Sequence, residues 1–140
     1  MKTEKVSVNL SPVELGQIDY LVERGLYDSR SDFMRSAARK VLEIHQDKTN
    51  EFLSNDDAKS GQVGSIYVLG ASMLTKQRVQ DAISANEKMR IRVIGICTIP
   101  NSITPEEIRQ TVASFKVYGK LVASEEVKAV LYEIENEMHN

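Results

Sequence analysis

Few side chains in this 140-residue sequence are of the types that carry covalent or metal chemistry. It contains one cysteine, Cys97, and two histidines, His45 and His139. A single cysteine excludes an internal disulfide bond and a cysteine-rich zinc site, and two histidines leave little for a metal centre or a histidine-based triad. We therefore expect no enzyme activity, no bound metal and no cofactor.

The remaining groups that resemble catalytic or ligand-binding motifs have structural explanations. The segment from Val68 to Lys76 is faintly similar to a phosphate-binding loop, but it lacks the second glycine before the lysine. A strand-to-helix turn explains it better. The acidic pairs Glu106–Glu107 and Glu125–Glu126 fall in the first turns of predicted helices, where they complement the helix dipole.

Charge points to one region that could bind an anion. The chain has 18 Lys and Arg against 20 Asp and Glu, a net charge of −2 that does not indicate a strongly basic nucleic-acid-binding protein. Residues 1–50 are balanced, with eight basic and eight acidic side chains, so the acidic excess lies in residues 51–140. Within the first part, a basic cluster is formed by Arg30, Arg35, Arg39 and Lys40. We expect a local basic surface there.

The elements that would position these groups begin with a short strand. Residues 5–10 alternate polar and apolar side chains, which is the pattern of a half-buried β-strand. The apolar face consists of Val6, Val8 and Leu10, and the polar face of Lys5, Ser7 and Asn9. An isolated strand leaves its edges unpaired, and the next strand pattern begins only at Ser65. The strand must therefore pair with the C-terminal part or with a second copy of itself.

Two capped helices follow the strand. Ser11 and Glu14 form a capping-box pattern at the start of the first helix, and Gly25 is suited to its end. The second helix starts after Ser29, with Asp32 at the corresponding position. Its apolar residues lie on two adjoining faces and are Phe33, Met34, Ala37, Ala38, Val41, Leu42 and Ile44. A helix that is apolar on two faces is buried on more than one side, which again indicates a partner chain.

Residues 4–45, taken in this order and spacing, resemble the ribbon-helix-helix family of DNA-binding proteins. This family includes the Arc and methionine repressors and the nickel-responsive regulators. The resemblance rests on the alternating segment 6–12, the spaced apolar residues of the first helix, Gly25 and the segment 29–35, and it covers about a third of the chain. The nickel-responsive members carry histidine and cysteine ligands in a second domain. This sequence lacks such a set, so metal binding does not carry over.

The resemblance implies an intertwined dimer whose two copies of strand 5–10 pair antiparallel and enter the major groove of double-stranded DNA, as β-ribbon readers do. By position, the residues that would contact the bases are Lys5, Ser7 and Asn9. Those that would hold a phosphate at the start of the second helix are Ser29, Arg30 and Ser31. Their types suit these roles, because Lys, Ser and Asn can bond to base edges and a helix N-terminus attracts anions.

Beyond this head, at residues 1–45, the pattern predicts a polar linker or a fraying helix end at residues 46–64 and a second domain at residues 65–140. The second domain repeats an apolar-x-Val-apolar-Gly segment three times, ending at Gly70, Gly95 and Gly119, 25 and 24 residues apart. Helix starts follow at Thr75, Thr104 and Ser124. This predicts a β/α repeat with three parallel strands, either a short solenoid or a conventional sheet, with one face covered by another subunit. The fold class is therefore α+β.

Taken together, these features favour a sequence-specific DNA-binding transcriptional regulator, interpreted as a cytoplasmic repressor. Its second domain would add oligomerisation beyond the dimer, or sensing. No apolar run approaches the ~20 residues that cross a bilayer, so no membrane partner is expected. The alternative is an antitoxin or plasmid-maintenance protein that uses the same head and binds a protein partner with its C-terminal part. The folded pattern of the second domain disfavours that alternative.

Overall fold

The computed structural model describes residues 3–53 and 64–137, which divide into two compact units, Met1–Lys48 and Thr49–Asn140. The helices of the described residues are α1 (Pro12–Glu23), α2 (Arg30–Ile44), α3 (Gln46–Leu53), α4 (Lys76–Ala85), α5 (Pro105–Thr111) and α6 (Glu125–Glu137). The strands are β1 (Ser65–Met73), β2 (Met89–Thr98) and β3 (Val112–Val122). The α+β class and the three parallel strands expected from the sequence are confirmed.

Both predicted helices of the head are present, and each begins at the predicted cap. Ser11 caps α1 and Ser29 caps α2, while Gly25 lies after α1 with a φ of +78°. Glycine adopts this left-handed backbone conformation without the steric cost that a Cβ brings. Residues 3–10 are neither helix nor strand in the single chain. Strand assignment requires a hydrogen-bonded neighbour, so pairing of residues 5–10 with a second copy stays a prediction.

The first part of the predicted linker is helical rather than irregular. α3 occupies Gln46–Leu53, with Asp47 in its first turn, where an acid favours the helix dipole. The polarity of this stretch indicated a linker or a fraying helix end, because α3 lacks a wide apolar stripe. Residues 54–63 of the predicted linker lie outside the described residues.

The second unit contains one three-stranded parallel sheet with the strands in chain order, β1-β2-β3. The helices between and after the strands begin at the predicted residues. The hydroxyls of Thr75, Thr104 and Ser124 each accept a hydrogen bond from the backbone N–H three residues further on. These caps satisfy N–H groups that have no partner within the helix. The sequence left open whether the repeat forms a solenoid or a sheet, and the structure has a single sheet.

The core of the second unit lies between one face of this sheet and helices α4, α5 and α6. Alternate residues of β2, such as Ile91 and Val93, are buried, and they belong to one cluster with Val79, Ile108 and Leu131 from the three helices. The residues between them point to the opposite face, as the two-residue period of a strand requires. Helices α4, α5 and α6 therefore cover one face of the sheet. On the opposite face, the ring centroid of Phe52 from α3 lies 5.9 Å from that of Tyr67.

The three repeat glycines form a column across the sheet. Gly70 is paired in register with Gly95, and Gly95 with Gly119. All three have strongly positive φ angles, of +126°, +136° and +120°. A Cβ atom at Gly95 would overlap the carbonyl oxygen of Gly70, so the neighbouring strand leaves no room for a side chain there. All three positions therefore need glycine for their backbone conformation, and Gly95 and Gly119 also need it for the close approach of the neighbouring strand.

Replacement of Gly95 by alanine should destabilise the sheet far more than replacement of Gly70. Both positions carry the strained φ, which costs about 1–3 kcal/mol with a side chain, but a Cβ at Gly70 has nothing within 4 Å. The overlap with backbone at Gly95 is an additional cost. Amide hydrogen exchange in β2 and β3 should show lower protection in Gly95→Ala than in Gly70→Ala, with the head amides unchanged. Equal loss of protection in the two variants would contradict this account of the glycine column.

Candidate nucleic-acid interface

Two caps fix where the helices of the head begin. At α1, the Ser11 hydroxyl accepts the Glu14 N–H at 3.2 Å, and the Glu14 carboxylate accepts the Ser11 N–H at 2.9 Å. This is the complete capping box predicted from the sequence. At α2, the Ser29 hydroxyl accepts the Asp32 N–H at 3.0 Å. The Asp32 carboxylate, however, accepts the N–H of Asp28 rather than that of Ser29. At α2 the carboxylate therefore bonds to a backbone N–H one residue before the cap, in the loop.

The candidate base-contacting residues lie on the segment that precedes α1. Lys5, Ser7 and Asn9 are all exposed. The apolar residues between them are exposed as well, with Val6 at 80% and Val8 at 59% of their full exposure. Neither face of this segment is covered in one chain. Both the apolar and the polar side chains of this segment are therefore accessible to a partner.

The candidate phosphate-contacting residues lie together at the start of α2. Ser29, Arg30 and Ser31 are exposed, but two of them already have partners within the chain. The Ser29 hydroxyl caps α2, as described above. The Arg30 guanidinium binds Asp19 of α1 in a bidentate arrangement, with Nε 2.7 Å from Oδ1 and Nη2 2.8 Å from Oδ2. Sequence reasoning missed Asp19, because the pair spans two helices and 11 positions without a local motif.

Formation of this ion pair shifts the pKa values of both Asp19 and Arg30 in the directions that favour their charged forms. The hydrogen bonds from Arg30 lower the pKa of the Asp19 carboxyl, and those to Asp19 raise the pKa of the Arg30 guanidinium. Both groups are exposed to solvent, so the pair contributes little to folding stability. Its importance is geometric, because a bidentate guanidinium arrangement is also the one that recognises a phosphate. A phosphate bound at Arg30 would therefore compete with Asp19 for the same donors.

The head does not bury its apolar residues within one chain. Ile18 is the only buried residue among the described positions 3–48, and α2 has none. The C-terminal half of α2 leaves Val41, Leu42 and Ile44 between 54% and 67% exposed. An open apolar groove of about 910 Å³ runs along α1 and α2, lined by residues that include Leu10, Val13, Ile18, Leu21, Phe33, Met34 and Ala37. Apolar surface on this scale marks an interaction site.

The described part of the second unit holds no cluster of metal-binding side chains, and its one thiol is buried. No group of three or more histidine, cysteine or acidic side chains among the described residues is arranged to hold a metal ion. Cys97 is buried, and burial raises the pKa of its thiol to about 11, so it is largely protonated at neutral pH. Among the described residues, no helix is long and apolar enough to cross a membrane.

Comparisons with known proteins agree with the geometry of the head. A family model described as "Ribbon-Helix-Helix transcriptional regulator family" matches residues 1–128. A curated relative, "Transcriptional regulator CdrS" from Halobacterium salinarum, is 35% identical over 46 residues, which cover 33% of this chain and 84% of the relative. No solved structure matches the chain. The family match extends through most of the second unit as well as the head.

Two substitutions on adjacent strand residues should separate folding of the head from ligand binding. Val8→Asp puts a charge on the apolar face, which we expect a second copy to cover, and burial of an unpaired charge is very costly. Ser7→Asp puts the same charge on the polar face. We expect Val8→Asp to lose helical circular dichroism from the head and Ser7→Asp to retain it. The thermal midpoint of the wild-type head should also rise with protein concentration.

Two outcomes would contradict this assignment of the strand faces. One is an equal loss of helical signal in Val8→Asp and Ser7→Asp. The other is a wild-type thermal midpoint that does not change with protein concentration, together with a monomeric mass in solution.

Proposed function

Because the chain belongs to the ribbon-helix-helix transcriptional regulator family, we propose that it regulates transcription as a dimer whose paired strands 5–10 enter the major groove of DNA. The single observation that carries this proposal is the exposure of both faces of the N-terminal segment, with Val6 and Val8 on one and Lys5, Ser7 and Asn9 on the other. Antiparallel pairing of two copies places the apolar faces against the α1–α2 grooves. The polar faces then point outward together.

The polar face supplies the chemistry of base recognition. Lysine donates to guanine O6 and N7, asparagine bonds bidentately to adenine, and serine can donate or accept. A two-stranded ribbon fits the width of the major groove, so residues from both copies reach the base edges. Discrimination between sequences therefore belongs to Lys5, Ser7 and Asn9.

The start of α2 contacts the phosphate backbone and so fixes where the dimer lies on the DNA. Backbone N–H groups of the first turn and the positive end of the helix dipole favour a phosphate there. Arg30, at the first position of α2, adds a bidentate donor once its carboxylate partner is displaced. Phosphate contacts fix orientation without reading sequence, and base contacts supply specificity.

The folded second unit favours this function over the antitoxin alternative. Its residues form a parallel sheet with a buried core of their own. A tail that folds only on a protein partner would be polar and would lack such a core. We therefore assign the second unit to the assembly of the regulator.

Substitutions in the two sets should have different effects on DNA binding by the full-length protein. Asn9→Ala removes a base contact and should cost about 1–3 kcal/mol at one base-pair position, which changes the selected sequence. Arg30→Ala should weaken all duplexes alike and reduce the salt dependence. Binding-site selection and titrations at fixed salt measure both effects. Arg109→Ala is the matched control, because Arg109 forms a similarly exposed pair with Glu133, 2.8 Å away in the second unit.

The proposal for the ribbon fails if Asn9→Ala selects the same DNA sequences as the wild-type protein. The proposal for Arg30 fails if Arg30→Ala and Arg109→Ala bind random duplexes with equal affinity.

Removal of the carboxylate that competes for Arg30 should strengthen binding. In Asp19→Asn the guanidinium of Arg30 is released, and one negative charge near the DNA is removed. We therefore expect the affinity for random duplexes to rise several-fold. The rise is no larger because an exposed ion pair is worth at most about 1 kcal/mol. Fluorescence anisotropy at two salt concentrations measures this. Glu133→Gln is the control. In the background of Arg30→Ala, the gain from Asp19→Asn should shrink. Weaker binding by Asp19→Asn, with helical content intact, would show that Asp19 orients Arg30 rather than competing for it.

A further inference from the structure

The alternation of residues 5–10 restricts how two copies of this segment can pair. In an antiparallel pair, residues that lie directly opposite each other point to the same face of the ribbon. Lys5, Ser7 and Asn9 occupy the polar face, and the residues between them occupy the apolar face. A two-fold axis between two residues would set polar against apolar side chains, so the axis must pass through a residue. The axes that keep most of the segment paired pass through Ser7 or through Val8.

The apolar face favours the axis at Val8. With this axis, Val8 faces Val8 of the second copy and Val6 faces Leu10, so every pair on the apolar face is aliphatic. With the axis at Ser7, Leu10 would instead face Glu4, which belongs by alternation to the same face. A carboxylate would then lie against the apolar surface that the dimer has to cover, and burial of an unpaired charge is costly.

The start of α1 favours the same axis. Ser11 is still extended, with φ of −67° and ψ of 155°, whereas Pro12 begins α1 and has no N–H to donate to a second strand. If pairing stops at Ser11, an axis at Val8 makes it begin at Lys5, which is where the alternating pattern begins. An axis one residue earlier would move that beginning two residues toward the N-terminus, outside the alternating pattern.

The backbone of Ser11 also predicts which pairs of the ribbon are hydrogen-bonded. Its N–H donates to the Glu14 carboxylate at 2.9 Å and is therefore engaged within its own chain. The pair of Ser11 with Lys5 of the second copy is then one without ladder hydrogen bonds, and such pairs alternate with hydrogen-bonded ones. Ser7 and Asn9 form the next pair without hydrogen bonds, in which the Cα atoms are about 4.5 Å apart and the side chains are closest.

We propose that the two-fold axis of the ribbon passes through Val8, so that Ser7 of one copy and Asn9 of the other contact the same base pairs. This inference rests on the proposed function and deepens it, because it assigns the side chains that act together in recognition. Consecutive residues of a strand are ~3.4 Å apart, so each Ser7–Asn9 pair lies about 3 Å from the axis and Lys5 about 10 Å from it. With ~3.4 Å per base pair, the Ser7–Asn9 pairs act about one base pair from the centre of the binding site, and Lys5 about three.

Binding-site selection with full-length variants tests this assignment on DNA. Ser7→Ala and Asn9→Ala should relax the sequence preference at the same base pair, and Lys5→Ala should relax it about two base pairs further from the centre. Arg109→Ala is the control and should leave the selected sequence unchanged. A position that is relaxed by both Lys5→Ala and Asn9→Ala, but not by Ser7→Ala, would place the axis at Ser7 and overturn the proposal.

Disulfide formation tests the register without DNA. Full-length Ser7→Cys and Asn9→Cys, each in a Cys97→Ala background, are co-expressed and oxidised. Cα atoms of opposite residues, ~4.5 Å apart, allow a disulfide, whereas the two Ser7 positions would be about 8 Å apart, beyond the ~7 Å limit. We therefore expect linked dimers with one chain of each variant, identified by mass, and none when Ser7→Cys is expressed alone. Tyr132→Cys, at an exposed residue of α6, gives the level of linkage by collision.

The two ways in which this experiment can fail are distinguishable. A linked dimer of two Ser7→Cys chains would overturn the axis at Val8 but leave the ribbon and the proposed function in place. Linkage of the mixed variants that does not exceed that of Tyr132→Cys would overturn the paired ribbon itself, and the proposed function with it.

Discussion

The head has more apolar side chains than a single chain can bury, and the other features of the head depend on this constraint. Residues 3–48 bury Ile18 alone, while the residues of the N-terminal segment and of α2 expose large aliphatic surfaces. Burial of such surface is worth roughly 25 cal/mol per Å², so a second copy that covers it stabilises the fold of both chains. Under the proposed arrangement, folding and dimerisation are one event, and the surface that recognises DNA exists only in the dimer.

The second unit, unlike the head, buries a core within one chain, but it also leaves apolar side chains exposed. It has a core of its own on one face of the sheet, while Leu69 and Tyr118 on the opposite face are about half exposed in one chain. The glycine column allows three similar strand segments to lie side by side in register.

Local sequence signals predicted much of this structure, and tertiary pairings lay beyond them. The caps at Ser11 and Thr104 and the repeat glycines act through neighbouring backbone groups, so spacing alone revealed them. The pairing of Asp19 with Arg30 depends on how two helices pack, which no local pattern encodes. The polar residues of α3 give little amphipathic signal, so the sequence alone does not distinguish a linker from the end of a helix there. The candidate base-contacting residues follow from the family resemblance and the alternation, since isolated exposed polar residues carry no signal of their own.

The measurement that tests the central claim most directly is amide hydrogen exchange of residues 5–10 in the full-length protein, at concentrations above and below dimer dissociation. The account predicts that alternate amides of this segment are protected in the dimer, as in an antiparallel ladder, and that protection disappears together with that of α2 on dilution. Uniformly fast exchange of all six residues at high concentration, while α2 stays protected, would contradict it. The head would then fold without a ribbon.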